Sequence, residues 1–180
     1  MKPWKTILSL LLVSLFSACS LITDDDEADS ESASGSTLVV GDKLPSFEVT
    51  MNDGTKITTA DLLGHVSLVM LFSVDCPDCR WQLPEVQRLW DMTSRRQLPI
   101  VLISRANSAN AIAEYWQQAK LTMTYSPQSD YRVYRLFAEN IIPRIYISDA
   151  GGTIRYISTD VNMPTAEQLI EKTNAIIEEK

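Results

Sequence analysis

Two of the chain's three cysteines stand together as Cys76-Pro77-Asp78-Cys79, between an apolar β-branched run and the start of a helical pattern. A thiol in the first turn of a helix meets unpaired backbone N–H groups and the positive end of the macrodipole, which favour its thiolate and make it nucleophilic near neutral pH. Two intervening residues let the second thiol reach back and close a disulfide. The pair can therefore carry reversible dithiol/disulfide exchange, with Cys76 attacking and Cys79 resolving the mixed disulfide. Two static uses stand beside this one. A structural disulfide is the first, although such bridges in exported proteins usually join distant segments. Half of a zinc site is the second, and for it the chain offers one histidine and no spare cysteine. No organic or metal cofactor is implied.

The neighbours of the pair set its balance. Asp75 and Asp78 place two carboxylates close to it, and like charge disfavours a thiolate, while the helix N-terminus and Arg80 favour one. With the acids prevailing, the reduced form is less stabilised and the couple lies toward the reducing end of its range. His65, some ten residues upstream, reads as a polar residue at a strand entry rather than a base. Trp81, beside the motif, is the aromatic best placed to touch a substrate. Trp90, Trp116, Tyr131 and Tyr134 follow spacings that make packing their default role.

The elements that must position the pair are legible as patterns. Residues 47–51 and 55–58, joined through Asn52-Asp53-Gly54, read as a β-hairpin, and 59–63 as a short helix ending at Gly64. The almost unbroken apolar run 66–74 predicts a strand buried on both faces. The helix that opens at the cysteines carries Leu83, Val86, Leu89 and Trp90 on one face, and Pro84 predicts a kink in it. Residues 99–104 read as a second buried strand. Asn107 or Ser108 then caps a helix with Ile112, Tyr115, Trp116 and Ala119 at helical spacing. Further on come a short strand at 121–125, a helix capped by Asp130 with Val133, Leu136 and Phe137, and a hairpin of 144–148 and 153–158 around Asp149-Ala150-Gly151-Gly152. A closing helix follows Pro164, with Thr165 and Gln168 at capping-box spacing and Ala166, Leu169, Ile170, Thr173 and Ile177 along one face. The order is α/β grammar, a central mixed sheet flanked by helices.

The first residues carry a separate message. Lys2 and Lys5, the apolar run 7–16 and the small residues Ser17 and Ala18 make an export signal over 1–18, too short to span a bilayer as a mature helix. Phe16-Ser17-Ala18-Cys19 resembles the bacterial lipobox, with Phe16 where Leu is usual. The resemblance implies lipidation of Cys19, and Ser20 with the acids behind it implies an outer-membrane anchor facing the periplasm or the cell surface. Residues 19–37 hold Asp24, Asp25, Asp26, Glu27, Asp29 and Glu31 and no base, which predicts a solvated tether. The formal charge is −7; setting aside Lys2, Lys5 and those six acids leaves 17 acids and 14 bases, a net of −3, in a single domain over 38–180. The bases are scattered along the domain, so nothing resembles a nucleic-acid footprint.

With strand, Cys-Pro-Asp-Cys, Pro84-containing helix, Pro143-led hairpin and closing helix in this order, the chain resembles the thioredoxin fold. More closely it resembles the TlpA-like, AhpC/TSA-related branch of membrane-anchored thiol-disulfide oxidoreductases, whose N-terminal hairpin is matched from Val40-Gly41-Asp42 through Gly54 and Gly64. The resemblance implies a cis peptide before Pro143, the backbone of Ile142 pairing with an extended substrate segment, and protein thiols or disulfides and a redox partner protein as partners. Three positions depart from the family pattern. Met70 stands where thioredoxins bury an acid, Asp75 where a Trp precedes the first cysteine, and Gln82 where many TlpA-like proteins have Glu. These departures keep open a thioredoxin-fold binding module whose disulfide is inert. A peroxiredoxin-like peroxidase is a further alternative, with Val69 and Ser73 where that motif has Pro and Thr.

Overall fold

The computed structural model describes residues 37–93 and 98–179. They belong to the second of two units, 31–180, into which the chain divides. The export signal, Cys19 and the acidic stretch up to residue 36 lie outside the described residues.

The first element is the expected hairpin. Glu48–Thr50 (β1) and Lys56–Thr58 (β2) pair antiparallel, and Gly54 supplies the turn's left-handed residue at φ 85°. A 3₁₀ turn, Thr59–Leu62, opens on a capping box between Thr58 and Asp61. Ser67–Phe72 (β3) follows with every residue buried, shorter than the apolar run that announces it. It lies inside a four-stranded sheet of order β4-β3-β5-β6, where β4 is Ile100–Ser104, β5 is Arg144–Ser148 and β6 is Ile154–Ser158. β3 and β4 run parallel, and the other two pairings are antiparallel. In this register Val69 faces Tyr146, so Tyr146 and Phe72, an odd number of positions away, point to opposite faces of the sheet. Each anchors an aromatic cluster: Tyr146 packs on Phe137, and Phe137 on Phe47, while Phe72 packs on Trp116, and Trp116 on Tyr125. Both faces are thereby covered.

Three helices complete the layers. Pro77–Met92 (α1) has Pro77 in its first turn, where a missing N–H costs nothing, and buries Cys79, Gln82, Leu83, Val86 and Leu89. Pro84 stands inside this helix without ending it. Its missing N–H frees the carbonyl four residues back, that of Arg80, and the Tyr115 hydroxyl donates to this carbonyl at 3.3 Å. Ala109–Ala119 (α2) is capped by Ser108, whose hydroxyl accepts from Ala111 N–H, and of the two candidate caps Asn107 is left free for another task. Ala166–Glu178 (α3) opens on the Thr165–Gln168 capping box and packs on α1.

Three expectations are corrected. In α3 the buried face runs through Ala166, Leu169, Thr173 and Ile176, and Ile177, one residue and about 100° further round, is exposed. Residues 121–125 form no strand, because side chains satisfy their backbone: Gln87 Oε1 accepts from Thr122 and Met123, and Asn52 Oδ1 accepts from Tyr125. Behind Asp130, only a 3₁₀ turn forms, over Tyr134–Leu136, and Asp130 itself closes a local turn by accepting from Arg132 N–H.

Candidate active site

The chain leaves β3 at Phe72 and reaches α1 in four residues. Cys76 occupies the N-cap of α1 in extended conformation, φ −91° and ψ 122°, and its carbonyl accepts from Arg80 N–H at 3.1 Å. Both cysteines are free thiols. Their surroundings differ sharply. Cys76 is half-buried, and its thiol meets the Ile142 carbonyl at 3.6 Å. Cys79 is fully buried one turn below, and its sulfur accepts from Ser73 N–H at 3.4 Å. Burial pushes the Cys79 thiol far up from its ordinary value. The Ser73 N–H pulls against this, the neighbouring Cys76 adds to it, and the Arg105 charge opposes it.

The Ile142–Pro143 peptide is cis, as the resemblance implies. Both residues are buried at the head of β5, which runs beside the end of β3. The residue before them, Ile141, is exposed and sits at φ 69°, an uncommon position for a β-branched side chain. Two contacts hold this corner: the Tyr134 hydroxyl donates to Ile141 O at 3.1 Å, and Arg144 Nε donates to Asn140 O at 3.2 Å.

The loop ahead of Cys76 is clamped by Asn107. Its Oδ1 accepts from Val74 N–H at 3.0 Å, and its Nδ2 donates to Asp75 Oδ2 at 2.9 Å. Arg80 folds back on the same loop, its Nε donating to the Val74 carbonyl and its guanidinium lying 5.3 Å from the Tyr115 ring centre. Asp78 is exposed in the first turn of α1, where a carboxylate suits the helix dipole. Trp81 is 50% exposed on the same turn. Asp75, Asp78, Arg80 and Trp81 are thus gathered around the pair, while His65 is exposed at the far end of β3. Met70 is a wholly apolar, fully buried residue of mid-β3, paired with Leu102 and Ile145. Gln82 is fully buried; its Nε2 donates to Pro164 O at 2.9 Å and its Oε1 has no partner.

Arg105 and Ile141 escape a sequence reading, since each lies in a loop whose residues have no period to follow, and Asn107 and Tyr134 are legible only as a candidate helix cap and a packing aromatic. For Asn107 the available signal is its position just after a buried strand. Among the described residues, no group of three or more His, Cys, Asp and Glu converges as a metal site would require. A cleft of about 230 Å³ opens at the other end of the sheet, among Met51, Ile57, Leu62, Trp90, Pro99 and Ile100. It contains neither sulfur.

Comparison with known proteins agrees with this architecture. Residues 40–157 match the model of the AhpC/TSA family. The thiol-disulfide oxidoreductase ResA of Bacillus cereus is 20% identical over 132 residues, which cover 73% of this chain and 75% of ResA. Among solved structures, StoA from Bacillus subtilis superposes with a TM-score of 0.63 at 20% identity, over 72% of this chain and 97% of StoA. The thioredoxin domain of a thiol-disulfide oxidoreductase from Bacteroides vulgatus superposes with a TM-score of 0.64 at 17% identity, over 77% of this chain and all of that one, 100%. The fold is thioredoxin-like, with the N-terminal hairpin added to it, and the chain belongs to the AhpC/TSA family.

Proposed function

We propose that this protein is a thiol-disulfide oxidoreductase that works outside the cytoplasm, tethered to the membrane through Cys19 after removal of residues 1–18. The observation that carries the chemistry is the contrast between the two sulfurs: a half-buried one at a helix N-cap beside a backbone carbonyl, and a second one buried directly beneath it. A protein disulfide approaching along the Ile142 backbone meets Cys76 first. The Cys76 thiolate attacks one substrate sulfur, the substrate S–S bond breaks, and the other substrate sulfur leaves as a thiolate. Cys79, having given up its proton, then attacks the Cys76 sulfur. The Cys76–Cys79 bond forms, the second substrate thiolate leaves, and two electrons have passed to the substrate. Run backwards, the same steps oxidise a dithiol. A redox partner protein resets the pair, and no cofactor enters.

Trp81 and the Ile142–Pro143 corner are the substrate contacts in this reading, while Asp75, Asp78 and Arg80 set the balance of the pair. The relatives named thiol-disulfide oxidoreductases support the class of reaction, and the export signal and lipobox pattern support the location. Insulin reduction driven by dithiothreitol tests it. Turnover above the uncatalysed rate, lost in Cys76→Ser, is the expected result. An unaltered background rate with an inert disulfide would favour the binding-module reading instead.

A further inference from the structure

We propose that Arg105 is a positioning residue for Cys79: held against two tyrosine rings beside the sulfur pair, its guanidinium supplies the positive charge that a buried Cys79 thiolate requires. The inference rests on the redox reading of Cys76 and Cys79.

The placement comes from the backbone. Arg105 follows the end of β4, and its N–H donates to Phe72 O at 2.6 Å. The residue after Phe72, Ser73, just past the end of β3, is the one whose N–H donates to the Cys79 sulfur, and Asn107 takes the N–H of Val74. Arg105 and Asn107 are thus stitched to Phe72 and Val74, the two neighbours of the residue that contacts Cys79. The Arg105 guanidinium lies 5.2 Å from the Tyr134 ring centre and 5.7 Å from that of Tyr131. The Tyr134 hydroxyl in turn reaches Ile141 O, one residue before the carbonyl that meets the Cys76 thiol.

What makes this guanidinium unusual is what it lacks. None of the ion pairs among the described residues includes Arg105, and its Nε is buried without a hydrogen-bond partner. The two rings stabilise part of that charge, and the buried Nε, which meets no hydrogen-bond acceptor, gains further when an anion forms beside it. The reaction forms one. In resolution Cys79 must become a thiolate before it attacks the Cys76 sulfur; in the reverse direction it departs as one when the Cys76–Cys79 bond breaks. β3 provides no acid to take the Cys79 proton, since Met70 occupies its middle. The charged and titratable groups acting on Cys79 are Cys76 on its own helix, Tyr115 on α2 and Arg105 beyond β4. Tyr115 already holds Arg80 over its ring, and Arg80 is engaged with the Val74 carbonyl. Of these groups, Arg105 is the cation that favours the thiolate.

The test uses the full chain carrying Cys19→Ser and Cys76→Ser, in which Cys79 is the one remaining thiol. Its ionisation is followed against pH by the Cβ chemical shift of isotope-labelled cysteine. Arg105→Gln should move the titration upward and leave about tenfold less thiolate at a given pH, the equivalent of roughly one pH unit. In the chain with both site cysteines, single-turnover resolution should slow by a similar factor at neutral pH and recover as pH rises. Arg105→Lys should restore most of both. If Arg105→Gln does not fold, Arg105→Met, which keeps an apolar stem on the rings, takes its place. A folded, neutral Arg105 variant with an unmoved titration overturns the proposal. Because the titration needs no turnover, an inactive protein would instead overturn the redox reading and leave the effect of Arg105 on Cys79 measurable.

Discussion

β3 begins and ends in two different kinds of place. At its start lie the cleft and the turn between β5 and β6, shaped by apolar packing and by glycine: Gly64 N–H donates to Ala150 O, and Gly152 at φ 74° brings its Cα side against Leu63. At its end the sulfur pair is held by polar clamps, with Ser73 N–H on Cys79, Asn107 on Val74 and Asp75, and Arg80 on the Val74 carbonyl. The first end has the concavity that small-molecule sites favour and neither cysteine in it. The second presents a thiol beside a backbone carbonyl, which suits an extended protein segment. Concavity alone points to the end of the strand that lacks the sulfur pair.

If the polar clamps make the site, removing one should injure chemistry and stability together. Asn107→Ala leaves the buried Val74 N–H without an acceptor and releases Asp75, so denaturant unfolding should show a loss of about 2–3 kcal/mol. Turnover in the insulin assay should fall several-fold even under conditions where the variant is fully folded. Unchanged turnover per folded molecule would show that the clamp is structural only.

At the opposite end the two effects should separate. Gly152→Ala places a methyl 2.9 Å from Leu63 Cδ2 at a left-handed position, so it should cost about 1–2 kcal/mol of stability. Redox turnover per folded molecule should remain that of the parent. A loss of turnover here would mean that the two ends are coupled through β3 and β5.

The smallest effect concerns pH. Burial holds the Cys79 proton well above the ordinary thiol value of 9.0, with Arg105 and the Ser73 N–H opposing it. A thiol that ionises more readily in the unfolded chain stabilises the fold fully below that ordinary value and loses its contribution as pH rises past it. The reduced protein should therefore lose about 1 kcal/mol more than the oxidised protein between neutral pH and pH about 10, since the oxidised form has no thiol to ionise. Parallel melting curves of the two forms check this, and equal losses would remove the buried thiol from the account.

The legible parts are those with a period or a partner in the chain. β3 could be read from an unbroken apolar run, α2 and α3 from helical spacing and caps, and the site from cysteines placed where a strand gives way to a helix. Pro143 was legible through the resemblance, which also implied its cis peptide. What sequence reasoning missed lies where side chains replace a ladder. Residues 121–125 carry a strand's composition, yet Gln87 and Asn52 satisfy their backbone. The stretch behind Asp130 has helical spacing but closes as one tight turn. Ile176 and Ile177 are chemically alike, and the roll of α3 against α1 decides which is buried. Arg105, Asn107 and Tyr134 act across the fold from loop positions, so their roles depend on contacts that no local pattern encodes.

The proposed mechanism makes Cys76 the attacking sulfur and Cys79 the resolving one. Replacing Cys79 by Ser and recovering the protein from cells under acid quench tests it most directly. Mixed disulfides joined through Cys76, released by dithiothreitol and absent when Cys76 is replaced instead, are the expected result. Equal adducts on both variants, or none from a normally expressed Cys79→Ser protein, would contradict it.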